Sequence, residues 1–119
     1  NLILLLTKLK LNNKTIVAVS APAKGMTLLN YCKIDKTYLD FATEKSKLKQ
    51  NTFAPGAHIP VTSDSKLLSQ KIDYALLLAW NFSKEIINNN VKFLQKGGKF
   101  IIPIPKIKII DKKNYKKVN

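Results

Sequence analysis

With 119 residues the chain is long enough to close one hydrophobic core and too short for two, and its 45% hydrophobic content with only four Gly and five Pro belongs to an ordinary globular protein. A net charge of +14, from 21 basic against seven acidic residues, raises nucleic acid or an anionic surface as a partner. Every basic residue is Lys, however, and a dedicated nucleic-acid surface without the bidentate fork of Arg is unusual, so nucleic acid is not the expected partner.

In chain order, Leu2, Leu5, Leu6 and Leu9 recur at helical spacing and predict an amphipathic helix over 2–12. TIVAVS (Thr15 to Ser20) is a short, β-branched apolar run suited to a buried parallel strand. The loop from Ala21 to Gly25 follows, then a helix to about residue 33 carried by Met26, Leu28, Leu29 and Cys32. TYLDFAT (Thr37 to Thr43) is a second strand candidate. A Lys-rich polar stretch leads into FAPGAHIPV (Phe53 to Val61), where two prolines and a glycine predict an ordered irregular loop. Ser63, Asp64 and Ser65 offer N-caps for a short helix through Leu67, Leu68 and Lys71. The strongest strand signal is DYALLLAW (Asp73 to Trp80), after which Asn81 is expected to cap a helix from Phe82 to about Leu94 that Gly97 and Gly98 terminate. KFIIPIP (Lys99 to Pro105) reads as a further strand and KIKII (Lys106 to Ile110) as a half-exposed edge strand. The alternation implies an α/β, three-layer domain over 1–119, with a mostly parallel sheet of about four to five strands flanked by helices.

One Cys and one His exclude an intrachain disulfide and a four-ligand zinc site, so no metal is expected, and a reducing, cytoplasmic setting fits. The apolar runs Leu2 to Leu6 and Tyr74 to Trp80 fall far short of the ~20 residues that cross a bilayer. The first also lacks the basic leader of a signal peptide. A chain that begins at Asn1 without Met reads as a processed product or a piece of something longer.

In an open parallel sheet, ligands sit beyond the carboxyl ends of the strands where strand order reverses, so the loops APAKG and AWNF are expected to flank the crevice. Lys24, at the start of a helix whose free N–H groups favour an anion, could hold a phosphate there. With Gly25 as the region's sole glycine, the segment is neither a dinucleotide fingerprint nor a Walker loop, and spacing alone favours a plain strand-to-helix turn with a solvated Lys24. His58 is the only imidazole and the only candidate for proton transfer near neutrality, although a lone His is more often structural. Trp80 and Asn81 could stack on and hydrogen-bond a base or sugar, or be a core aromatic followed by a helix cap. Cys32 reads as a small buried hydrophobe, and the six Lys between Lys106 and Lys117 as a solvated, frayed tail.

Four segments taken together, APAKGMTLLNYC (Ala21 to Cys32), KQNTFAPGAHIPV (Lys49 to Val61), DYALLLAWNFSKEI (Asp73 to Ile86) and GGKFIIPIP (Gly97 to Pro105), resemble the carboxy-terminal domain of SAM-dependent sugar-nucleotide C-methyltransferases over residues 15–105. The resemblance implies a Rossmann-like domain that helps bind a nucleotide-linked keto-deoxysugar. It also implies a zinc-binding and a SAM-binding domain in the same polypeptide but outside this chain. S-adenosylmethionine is then the cofactor of the full enzyme, bound mainly by a domain not present here, and no cofactor is expected for this chain alone. The family reaction removes a proton beside the sugar ketone, and the enolate attacks the SAM methyl group. Its catalytic Tyr and His are expected in the missing central domain, which leaves His58 as the one catalytic candidate here. Lys24, Gly25, Asn30, His58, Trp80 and Asn81 are the implied substrate-binding residues. The alternatives are a non-catalytic basic domain bound to nucleic acid or an anionic surface, and a structural interaction module.

Overall fold

A computed structural model describes residues 2–19, 28–29, 31–44, 52–53, 59–63, 65–104 and 106–117. The described strands are β1 (Ile16–Val19), β2 (Ala42–Glu44), β3 (Thr52–Phe53), β4 (Pro60–Ser63), β5 (Tyr74–Leu77), β6 (Lys99–Ile102) and β7 (Lys108–Ile110). They form one seven-stranded sheet in the order β3-β4-β2-β1-β5-β6-β7. The five inner strands run parallel, and β3 and β7 close the two edges antiparallel. This is the expected α/β architecture with more strands than the sequence indicated.

Period-two alternation divides the core between the two faces of the sheet. Ile16 and Ala18 of β1 and Leu76 of β5 join a cluster beneath α1 (Leu2–Leu11) that also holds Leu29, Ile34 and Leu39. Val17 and Val19 with Ala75 and Leu77 face the opposite cluster, covered by α2 (Lys66–Ser69), α3 (Ser83–Asn89) and α4 (Val91–Gln95). Helical backbone also occurs at Leu28, Leu29, Tyr31 and Cys32, where a helix was expected.

Asp73 fastens the amino ends of the central strands. Its carboxylate accepts the Thr15 N–H at 2.8 Å, its own N–H donates to the Thr15 carbonyl, and its carbonyl accepts the Lys99 N–H at 3.1 Å. Gly97 stops α4 with φ +100°, donating to the Leu94 carbonyl at 3.0 Å. At Gly98 a Cβ would collide with the Phe93 ring, which instead meets Phe100 edge-on at 5.2 Å between centroids.

Several expectations are corrected. The strand expected over 37–43 is confined to Ala42–Glu44, because Asp35 winds the preceding residues into turns by accepting the Thr37 N–H on its side chain and those of Tyr38 and Leu39 on its carbonyl. The segment read as a purely irregular loop ends in β4, whose Pro60 opens the strand where no N–H is demanded of it by β2. The helix expected from Phe82 to Leu94 is two helices. At Asn90 the side-chain amide donates to the Ile86 carbonyl at 2.7 Å, competing with the backbone ladder. The short helix after Ser65 is a single turn with no side-chain cap, and Lys96 Nζ donates to the Leu68 carbonyl at its end. The Lys-rich tail carries regular structure, with β7 followed by a 3-10 turn, Tyr115–Lys117. Asn114 accepts the Asp111 N–H at 2.8 Å and donates to the Ile109 carbonyl, and Tyr115 packs on the second core cluster.

Candidate functional site

Strand order reverses between β1 and β5. The chain moves outward from β1 through β2 to β4, then returns to the other side of β1 as β5. The two strands are parallel and in register from Ile16 opposite Tyr74 to Val19 opposite Leu77, so their carboxyl ends finish side by side. The Leu78 N–H donates to the Val19 carbonyl at 3.4 Å, which holds the two exits together. Buried side chains fix them on both faces, so whatever extends from Leu78 starts from a rigid edge.

From that edge Ala79 turns the backbone (φ −95°, ψ 60°) into a 3-10 turn, Trp80–Phe82. The Ala79 carbonyl accepts the Phe82 N–H at 2.9 Å, and the Trp80 carbonyl accepts that of Ser83. Two details differ from the sequence reading. Trp80 begins a turn beyond the strand instead of ending it, and Asn81 does not cap α3, whose N-cap position is held by Phe82 with no side-chain cap. The turn distributes its side chains by chemistry. Trp80 is half-buried against the second core cluster, whereas Asn81 is exposed and Phe82 is 62% exposed.

An open depression of about 510 Å³ lies along this turn and the outer side of α3, lined by Asn81, Phe82, Lys84, Glu85, Asn88 and Asn89. Its lining combines an aromatic ring, three amides, a cation and a carboxylate. Such a surface can stack on an apolar face while hydrogen-bonding hydroxyls around it. Phe82 falls within the AWNF loop expected at the crevice but is not among the six substrate-binding candidates, since the sequence also reads it as the first residue of a helix. The signal present was its place directly after Trp80 and Asn81 at a strand's carboxyl end.

Across the sheet, Thr62, Thr43, Val19 and Leu77 form one register row on the same face. Thr43 is fully buried, and among the described residues its hydroxyl has no hydrogen-bond partner. The row therefore passes from apolar at β5 to polar at β4 just below the strand ends.

Of the six substrate-binding candidates, Trp80 and Asn81 come together at the reversal of strand order, and Lys24, Gly25, Asn30 and His58 lie outside the described residues. Cys32 is half-buried against the first core cluster, close to the reading of it as a small packed hydrophobe. Among the described residues no group of three or more His, Cys, Asp or Glu could hold a metal ion, and no helix is long and apolar enough to cross a membrane. Among the described residues one carboxylate has a clearly displaced pKa, Asp35, in the turn before β2. The backbone N–H and then the hydroxyl of Thr37 hold it below the ordinary Asp range.

Residues 1–105 match the family described as the C-methyltransferase C-terminal domain. The chain is also 40% identical over 99 residues to the C-methyltransferase NovU of Streptomyces niveus, an alignment that covers 83% of this chain and 24% of that protein. The chain thus spans about a quarter of the length of the curated relative it matches.

Proposed function

The chain belongs to the C-methyltransferase C-terminal domain family, and from that premise we propose that it is the substrate-binding domain of a methyltransferase acting on a nucleotide-linked keto-deoxysugar. The observation that carries this reading is the paired carboxyl ends of β1 and β5 at the reversal of strand order, with the Trp80–Phe82 turn standing on them. In this reading residues 1–119 are one domain, and a zinc-binding and a SAM-binding domain complete the polypeptide in a cytoplasmic enzyme.

The residues have complementary tasks. Lys24, beside Gly25 after β1, faces the phosphates of the nucleotide, and Asn30 and His58 approach the cleft. Trp80 and Asn81 line it from β5, and Phe82 joins them as an exposed ring for the sugar or base. S-adenosylmethionine supplies the methyl group to the full enzyme. The chain's four glycines do not fit a site for it. Gly97 and Gly98 end α4, Gly56 is isolated between prolines, and Gly25 alone follows β1, where a glycine-rich cradle would be required. This chain's part is to bind and orient the substrate, and the donor is held elsewhere.

Calorimetry on the full-length protein tests the reading. A nucleoside diphosphate sugar should bind saturably, and Lys24→Ala should weaken it by tenfold or more while random duplex DNA competes poorly. Absence of nucleotide-sugar binding, or binding indifferent to Lys24→Ala, would overturn it.

A further inference from the structure

Helix α1, LILLLTKLKL, is apolar nearly all the way round, a composition that belongs to a helix covered on more than one side. Only Leu2, Leu6 and Leu9 are buried. Leu4 is 68% exposed and Leu11 80% exposed. At 3.6 residues per turn these two project within about 20° of each other, roughly 10 Å apart along the axis and opposite the buried face. Lys8 lies one turn from each and is exposed. Lys10, on another side of the helix, is already engaged with Asp40 at 3.8 Å. A helix that needed only to sit on this sheet would carry polar residues at positions 4 and 11.

We propose that the outward face of α1, Leu4 and Leu11 with Lys8 between them, is the surface on which the preceding domain of the full-length polypeptide docks. The inference rests on the reading of this chain as one domain of a longer methyltransferase. Two observations name the occupant. The family is that of a C-terminal domain and the curated relative is about four times the length of the match, so most of such a polypeptide lies on the amino-terminal side. Among the described elements α1 stands nearest the amino-terminal side, the side on which a preceding domain joins the chain. The matching surface should be apolar with a carboxylate opposite Lys8. Docking there would also fix the orientation of the β1/β5 crevice relative to the donor site, since Ile16 and Ala18 share the core cluster into which α1 packs.

Site-specific alkylation of the full-length protein tests the proposal. Leu4→Cys and Leu11→Cys are exposed to iodoacetamide beside the reference variants Lys92→Cys and Lys112→Cys, both at exposed positions, and each site is read by peptide mass, with native Cys32 followed separately. The expected result is modification at positions 4 and 11 at least tenfold slower than at the faster reference, unchanged on dilution. Rates equal to the reference overturn the proposal, as does protection that disappears on dilution, which would assign the face to a second copy of the chain. Nucleotide-sugar binding by the same preparations reports separately on the proposed function, so either idea can fail alone.

Discussion

Helix α1 on one face of the sheet and helix α3 on the other sort their residues by opposite rules. α1 buries Leu2, Leu6 and Leu9 and still turns Leu4 and Leu11 outward, whereas α3 buries Ile87, half-buries Ile86 and turns Lys84, Glu85, Asn88 and Asn89 outward. The difference separates two kinds of surface. The α3 side is built to meet water or a polar ligand, and its depression runs on from the turn at the end of β5. The α1 side is built to be covered by another apolar surface.

The comparison can be broken most forcefully in the two cores. Phe93→Ala removes a buried ring that packs on Phe100 under α4 and should destabilise by about 3–5 kcal/mol, seen as a lower urea midpoint. Leu6→Ala, its counterpart under α1, should cost about 2–5 kcal/mol in the same measurement. If the outer face of α1 is covered in the full-length protein, Leu6→Ala there should also loosen that contact and accelerate proteolysis between domains, which Phe93→Ala should not. Gly98→Ala, forced against the Phe93 ring, should cost about 1–3 kcal/mol, and pairing it with Phe93→Leu should recover part of the loss.

A smaller effect has the opposite sign. Because the Thr43 hydroxyl is buried without a partner among the described residues, Thr43→Val should stabilise by about 1 kcal/mol in thermal unfolding, and a loss of that size would mean that a partner for the hydroxyl exists. The smallest expected effect lies in the turn before β2. Hydrogen bonds from Thr37 lower the Asp35 pKa, so its ionised form is favoured by folding. That contribution is present above the unfolded-state pKa and is lost as pH falls through the folded value. Carboxyl-carbon NMR should find Asp35 titrating below the ordinary Asp range, and Thr37→Ala should move it upward.

The parts legible in the sequence were those in which local pattern and tertiary role agree. β1, β5 and β6 are apolar on both faces and bounded by polar residues, β7 is a half-exposed edge strand, although Ile110 rather than Ile109 is its buried residue, and Gly97 and Gly98 end a helix. Legibility failed where a side chain redirects the backbone. Asp35 shortens the second strand from its amino end, Asn90 splits a helix that periodicity runs through, and β4, with Pro60, Thr62 and Ser63, owes its form to pairing with β2 and β3 rather than to propensity. Within the site, chain order and strand type were enough to bring Trp80 and Asn81 to the reversal point. The exposure of Phe82, at the end of the same loop, was not legible, because a 3-10 turn rather than a capped helix decides which residues face outward.

The central claim is that the turn after β5 touches the nucleotide-sugar. The most direct measurement follows the indole N–H resonance of Trp80, identified by its loss in Trp80→Phe, in the ¹⁵N-labelled full-length protein during titration with a nucleoside diphosphate sugar. The account predicts a saturable shift with the same midpoint as calorimetric binding, and a weaker midpoint in Asn81→Ala. A Trp80 resonance that stays fixed while the nucleotide-sugar binds to saturation would contradict it.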